Sequence, residues 1–166
     1  DSSFTSEDGI ADIAPLGILE PLPFDDLSAA KMRLAAIEIP WRTMNNVLDM
    51  CMFVSSGFTR TKMVEAVAAI TGWETSMHEL LLAGERAYTM ARLFNLREGF
   101  TAADDVLPQR FFEPFEAGPS KGNALPPETF AEARKTLYLM LGWNADGTPL
   151  PWKLQQLGIS WALESQ

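Results

Sequence analysis

Apolar residues recur at helical spacing through most of the chain after residue 24. One stripe is formed by Met44, Val47, Leu48, Cys51 and Met52, which follow the i, i+3, i+4 spacing of a single helix face. No stretch alternates cleanly between apolar and polar residues, as a half-buried strand would. The pattern therefore predicts an all-α fold.

Turn and cap residues divide this pattern into about six helices. The predicted helices cover residues 25–39, 41–54, 60–71, 77–96, 127–141 and 150–157. Pro40 is expected to end or kink the first helix at about Ile39. Ser76 and Glu79 form an S-x-x-E capping box at the start of the fourth helix. The other predicted caps are Asp25 or Asp26, Thr59, and Thr148-Pro149 at helix starts, and Gly72, Gly142 and Gly158 at helix ends.

The segments between the helices are uneven in length. Residues 1–24 contain three prolines and no sustained period, so they are predicted to be a lead-in to one helical domain over 25–166. Residues 99–126 are predicted to be mostly irregular, with one short turn near residues 104–112. A connection of this length suggests a binding role or a packed partner. The domain is therefore expected to be an irregular multi-helix fold and not a simple four-helix bundle.

Charge and composition exclude several classes of function. The chain carries 13 Lys and Arg against 22 Asp and Glu, a net charge of −9, which argues against nucleic-acid and anionic-membrane partners. No apolar stretch approaches the ~20 residues that cross a bilayer. The first residues have neither the basic nor the apolar region of a signal peptide. A single cysteine permits no intrachain disulfide, which favours a reducing, cytoplasmic setting.

Few side chains are candidates for chemistry from the residues alone. Cys51 is either a buried core thiol or a metal ligand, and composition favours the core thiol. A Cys51–His78 nucleophile pair is possible, but His78 falls in the first turn of a helix and is expected to face solvent. Asp104 and Asp105 could be paired carboxylates, although such a doublet is more often a cap or a solvated turn.

Several motifs in the second half of the chain resemble one known family. Residues 71–111 resemble the C-terminal helical region of the aldehyde ferredoxin oxidoreductases, tungsten and molybdenum bis-pterin enzymes. The matching motifs are Thr71-Gly72-Trp73, Gly84-Glu85-Arg86, Arg92-Leu93-Phe94-Asn95-x-Arg97-Glu98-Gly99-Phe100 and Asp104-Asp105-x-Leu107-Pro108-x-Arg110. The stretches GPSKGNALPPETF, GWNADGTP and KLQQLGI resemble the tail that follows, so the resemblance covers most of residues 30–160.

The resemblance implies a role for the segment that contains the cysteine. In this family a 4Fe–4S cluster lies beside the pterin, with three cysteines from a C-x-x-C-x-x-x-C segment and the fourth from a D-x-x-G-L-C segment. Residues 46–51 read Asn-Val-Leu-Asp-Met-Cys at the matching place. The resemblance therefore makes Cys51 a cluster ligand and places Asn46, Asp49 and Met50 at the pterin. Asn46 stands where the family has Asp, and Asp49 stands where it has Gly.

The resemblance also implies what the whole protein does. It implies an N-terminal β-rich domain that holds the bis-pterin cofactor, absent from this chain, and an enzyme that oxidises aldehydes to carboxylates with ferredoxin or an electron-transfer subunit as acceptor. The missing domains and a second copy in a homodimer are the other expected partners, and the isolated chain is expected to be inactive. The alternative is a helical interaction or structural module with no redox role.

Overall fold

The computed structural model describes residues 7–23, 25–53 and 57–163, and these residues form an all-α fold. The six α-helices in the described part of the chain are α1 (Glu7–Ile13), α2 (Ala29–Val47), α3 (Arg60–Thr71), α4 (Met77–Arg97), α5 (Pro127–Met140) and α6 (Pro151–Leu157). Short 3-10 turns cover Ala14–Leu16, Gln109–Phe111 and Ser160–Leu163. Extended pairing in the described ranges is limited to two isolated bridges, Phe115 with Lys121 and Trp143 with Pro149. The predicted fold class is confirmed.

Helix α2 is one helix where the sequence predicted two. It begins after Ser28, whose hydroxyl accepts from the Lys31 amide at 3.4 Å, and it continues through Pro40. The ring removes one backbone donor, which normally ends or kinks a helix. Here Pro40 is buried against α4, and a Cβ added to Gly84 would lie 2.0 Å from the Pro40 carbonyl oxygen. Close packing of α2 on α4 thus overrides the local preference.

The predicted end of this helical region is also wrong. Its expected end at Val54 lies outside the described residues, but α2 already ends at Val47. Beyond this point the backbone of Asp49 is left-handed, with φ of 54°. Cys51 therefore follows the helix and does not lie on its apolar face.

The caps of the other helices mostly follow the sequence. The Thr59 hydroxyl accepts from Lys62 at 3.4 Å, and that of Ser76 accepts from Glu79 at 3.2 Å. Gly72 and Gly158 end α3 and α6 in left-handed conformations. The cap of α6 was predicted wrongly. Leu150 precedes the helix with no side-chain hydrogen bond, and Pro151 is the first helical residue, where its fixed φ suits the helix.

The first residues contain a helix that the sequence did not predict. Helix α1 and the turn after it bury Ile10, Ile13 and Ile18 against Leu34 of α2. The apolar pattern spans less than two turns and is interrupted by Pro15, so it lacks the length that makes periodicity recognisable. Part of the segment predicted as a lead-in is thus packed on the domain.

Two apolar clusters position the residues that matter for function. The first, here called the Trp41 cluster, joins the C-terminal half of α2 to the first turns of α3 and α4. Its buried members are Trp41, Met44, Met63 and Leu80. The second lies between α5 and the turn after it and contains Tyr138, Leu141 and Trp143. As predicted, the connection from α4 to α5 is irregular apart from its short 3-10 turn.

Candidate functional site

The segment around the cysteine begins with a closed helix end. The Met50 amide donates to the Asn45 carbonyl at 2.8 Å, and the Asp49 amide donates to the Asn46 carbonyl at 3.2 Å. This pair of bonds is a Schellman motif, in which the left-handed residue occupies the C′ position. Asp49 holds that position with φ of 54°. The chain therefore leaves α2 in a defined direction just before Cys51.

The thiol and its neighbours lie at the surface. Cys51 is an exposed free cysteine, and Met52 and Phe53 are 50% and 77% exposed. Asn46 and Asp49 are also exposed, whereas Met50 is half-buried and packs against the Trp41 cluster. The interpretation of Cys51 as a buried core thiol is therefore wrong. The roles of Asn46, Asp49, Met50 and Cys51 at a cofactor stay predictions.

No complete metal site is present in the described part of the chain. Among these residues, no three His, Cys, Asp or Glu side chains come together in a way that could hold a metal ion. His78 is exposed in the first turn of α4, as predicted. A thiolate is the ligand that iron–sulfur clusters take. An exposed single thiol fits a site whose other ligands come from outside this chain.

One buried polar atom lies directly beside this segment. Asn45 is 2% exposed, and its side-chain oxygen has no hydrogen-bond partner among the described residues. Buried polar atoms of this kind are uncommon, because leaving one unpaired costs about 1–3 kcal/mol. The last turn of α2 thus has an unused acceptor next to the exposed Asn46.

The connection from α2 to α3, which carries Cys51, ends at a buried group of three charged side chains. The sequence did not predict this group. The guanidinium of Arg60, the first residue of α3, bonds to the carboxylates of Asp12 in α1 and Glu38 in α2. The Arg60 amide also donates to Asp12 at 3.0 Å. A signal was available: Glu38 lies four residues after Leu34 on a buried helix face, where a charge requires a partner.

Burial perturbs the carboxylate in this group. Desolvation raises the pKa of Glu38 above its usual value, while Arg60 and Arg42 oppose the shift. The Arg42 Nε lies 3.7 Å from the second Glu38 oxygen. The Arg60 guanidinium also lies over the Trp41 ring, 5.3 Å from its centroid. Arg60 therefore links three helices to the Trp41 cluster.

A second buried network uses residues of the motifs that carry the family resemblance. Arg92 of α4 donates from Nε to the Gly147 carbonyl at 2.9 Å, and its Nη1 lies 2.8 Å from Asp105. The Tyr138 hydroxyl donates to the same carboxylate. Burial, followed by this hydrogen bond and the Asp105 charge, raises the pKa of Tyr138 to about 12. The network ties α4 and α5 to two turns.

The two neighbouring carboxylates of the sequence do not form a pair. Asp104 closes a turn by accepting from the Thr101 amide at 2.7 Å, whereas Asp105 binds Arg92. The solvated-turn interpretation holds for Asp104. Neither residue provides an acid–base pair.

Comparison with known proteins decides the family. The sequence model for domains 2 and 3 of aldehyde ferredoxin oxidoreductase matches residues 4–159. The chain belongs to the aldehyde ferredoxin oxidoreductase family. The matched range includes the residues of α1, which the sequence did not predict as a helix.

Curated relatives agree and also show how much of the family protein is present. Tungsten-containing aldehyde ferredoxin oxidoreductases from Pyrococcus furiosus and Thermococcus kodakarensis are each 31% identical over 137 residues. The corresponding protein of Pyrococcus horikoshii is 30% identical over 136 residues. Each alignment covers 81% of this chain but only 22% of the relative. The chain thus spans about a fifth of the length of these relatives.

Within the described ranges, no helix is both long and apolar enough to cross a bilayer.

Proposed function

We propose that this chain is the C-terminal helical part of a tungsten- or molybdenum-pterin oxidoreductase of the aldehyde ferredoxin oxidoreductase type. Cys51 supplies one thiolate to a 4Fe–4S cluster, and Asn46, Asp49 and Met50 form part of the pterin site. The remaining cluster thiolates and most of the pterin site come from N-terminal domains of the same protein. The similarity to tungsten-containing aldehyde ferredoxin oxidoreductases supports this assignment.

The observation that carries the proposal is the backbone at residue 49. The resemblance aligns residues 46–51 with a D-x-x-G-L-C segment whose glycine falls on Asp49. That residue has φ of 54°, in the left-handed region that glycine adopts without strain. It is the one non-glycine residue with positive φ in the described part of the chain. The backbone thus supports the alignment that makes Cys51 the cluster ligand, even though the side chain at residue 49 differs.

The side chains of residues 46–53 suit different parts of cluster and pterin binding. The Cys51 thiolate is a soft ligand for iron, and its exposure lets it reach a cluster held by another domain. The Asn46 amide offers the pterin one donor group and one acceptor. Met52 and Phe53 present apolar surface that would exclude water from the cluster once the domains meet. The cofactors supply the redox chemistry itself.

The whole protein would then oxidise an aldehyde. An aldehyde and water yield a carboxylate, three protons and two electrons, and the electrons leave one at a time to ferredoxin or an electron-transfer subunit. We place the protein in the cytoplasm and expect a homodimer. The isolated chain would be inactive, because it lacks the other thiolates and the pterin domain. An assay of aldehyde oxidation by the isolated chain checks this point.

Replacement of Cys51 by serine in the full-length protein tests the proposal. A serine oxygen is a harder and less readily ionised ligand than a thiolate, so Cys51→Ser should lower the iron content and change the cluster EPR spectrum. The variant Met90→Leu is the control and should keep both, because Met90 lies on α4 and outside the proposed site. Normal iron content and EPR in Cys51→Ser would reject the ligand role and leave the alternative, a helical module with no redox role.

A further inference from the structure

The connection that carries Cys51 is fixed where it returns to the helical scaffold. Arg60, the first residue of α3, is held at its amide by Asp12 and at its guanidinium by Asp12 and Glu38. The Arg60 and Glu38 side chains are only 10% and 8% exposed. The first amides of a helix have no partner within it, so Asp12 supplies one from another helix. The start of α3 is therefore tied to both α1 and α2.

The connection is fixed at its beginning as well. The Schellman motif of Asn45, Asn46, Asp49 and Met50 sets the direction in which the chain leaves α2. Met50 and Phe58, which precede and follow the exposed residues, both pack against the Trp41 cluster. The Arg60 guanidinium lies over Trp41 in that cluster. Both ends of the connection thus rest on the same group of buried side chains.

We propose that Arg60 is a positioning residue which, through Asp12 and Glu38, holds the Cys51 connection in the geometry that cluster binding needs. The inference rests on the proposed function of Cys51. An exposed ligand on a connection between helices gains precision only from the rigid elements that support it. A planar guanidinium suits this task, because it can bond to two carboxylates at once in fixed directions.

A consequence is that α1 belongs to the cluster site although it contains no ligand. Asp12 lies in α1, in the part of the chain that the sequence analysis set apart from the domain. A change at Asp12 should therefore reach Cys51 through Arg60. Partners that orient metal ligands commonly alter metal affinity by about 10–100-fold when they are mutated.

The test uses Arg60→Ala, Arg60→Lys and the milder Asp12→Asn in the full-length protein. The matched control is Lys153→Ala, which removes an equally buried ion pair between α6 and α4, with Lys153 Nζ 2.5 Å from Glu85. The rate of cluster loss to an iron chelator and the cluster EPR spectrum are measured well below the melting temperature. Amide exchange of Met50 is measured by NMR in the 166-residue chain.

We expect cluster loss about tenfold faster in Arg60→Ala and Asp12→Asn, with an altered EPR spectrum. Arg60→Lys should recover part of the difference, because its ammonium keeps the charge but not the two-carboxylate geometry. Exchange of the Met50 amide should rise about tenfold in Arg60→Ala, and Lys153→Ala should change none of these quantities.

Two outcomes separate this inference from the proposed function. If Cys51→Ser alters the cluster while Arg60→Ala and Asp12→Asn behave like Lys153→Ala, the positioning role is wrong and the ligand role stands. If Cys51→Ser leaves the cluster intact, the proposed function is wrong and the inference falls with it.

Discussion

The Arg92 network and the Cys51 segment are opposite kinds of site within one fold. Arg92 is 7% exposed, and its bonds to Gly147 and Asp105 lie within this chain. Cys51 is exposed, and no metal-binding group surrounds it in the described residues. The contacts that hold Arg92 are thus made by residues of this chain, although Arg92 Nη2 and Trp143 Nε1 have no hydrogen-bond partner among the described residues. The role proposed for Cys51, by contrast, needs ligands from outside the chain.

The difference explains which residues identify the family. Arg92 and Asp105 belong to the motifs on which the resemblance rests, and they lock helices and turns together. The packing at Gly147 is so close that a Cβ added there would lie 2.3 Å from the Arg92 guanidinium. The segment proposed to touch the cofactors departs from the family at Asn46 and Asp49. The motifs that carry the resemblance thus contain residues that pack the fold. The role proposed for Cys51 follows from the family and not from those motifs themselves.

Removal of Arg92 should have the largest effect on stability. Arg92→Ala leaves Asp105 without its cation and opens space beside Tyr138 and Trp143, whose rings lie 5.6 and 5.5 Å from the guanidinium. Breaking a buried ion pair from one side typically costs about 3–5 kcal/mol. Asp105 is 36% exposed, so we expect the lower end, about 3 kcal/mol. Chemical denaturation followed by circular dichroism measures this loss.

Arg97→Ala on the same helix provides the control. Arg97 belongs to the same motif, but it and its partner Glu98 are both 51% exposed. An exposed pair contributes about 0–1 kcal/mol, so this variant should unfold almost as the parent does. Equal losses in the two variants would contradict the view that the buried contacts of Arg92 stabilise the fold.

Local features of the fold could be predicted from the sequence, and long-range ones could not. The cap of α4 depends on residues within one turn, and the Ser76 hydroxyl accepts from the Glu79 amide as predicted, while the Glu79 carboxylate accepts from the Ser76 hydroxyl. The continuity of α2 through Pro40 depends on Gly84, which lies far along the chain and in another helix. The sequence does not show that α2 would approach α4 at this glycine.

The candidate site also has local features that could be predicted and long-range ones that could not. A role for Cys51 could be predicted from a short segment that resembles the family, and the left-handed backbone of Asp49 supports the alignment. Its place beyond the end of α2 was not predicted. The group formed by Arg60, Asp12 and Glu38 joins three helices across 48 residues of sequence. A single sequence gives no sign of such pairing beyond the buried position of Glu38. Tertiary ion pairs are therefore what the sequence analysis missed.

Titration of the tyrosines sharpens the comparison at the Arg92 network. The chain has two tyrosines, and burial raises the pKa of both, that of Tyr138 to about 12. The neutral form is therefore favoured by folding. Its contribution to stability is complete below the unfolded pKa of about 10 and is lost as the pH rises through about 12. At pH 10 the ultraviolet signal of tyrosinate should therefore be weaker in the native protein than in the unfolded one, with Tyr138 still neutral.

The control for this titration is the same protein in denaturant, where both tyrosines should ionise near pH 10. Tyr138→Phe should reduce the loss of stability between pH 10 and 12, since it removes the phenol whose pKa is raised to about 12. Ionisation of both tyrosines near pH 10 in the native protein would mean that the Asp105–Tyr138 hydrogen bond does not form in solution.

The smallest effect is expected at Asp49, on the exposed side of the comparison. Left-handed backbone costs an ordinary residue roughly 1–2 kcal/mol, and glycine avoids this strain but loses more chain entropy on folding, about 0.5–1 kcal/mol. Asp49→Gly should therefore stabilise the chain by about 0.5 kcal/mol, whereas Asp49→Ala, which has a Cβ and no polar group, should destabilise it by a similar amount. Denaturant midpoints of the two variants give the measurement.

Because Asp49 is exposed and its bonds in the Schellman motif are made by the backbone, neither substitution removes a packed side chain. The order Gly, Asp, Ala in stability follows from the backbone alone, and an alanine variant as stable as the glycine variant would show that residue 49 is not left-handed in solution. That result would also remove the main support for aligning this segment with the family's glycine, and hence for Cys51 as the ligand.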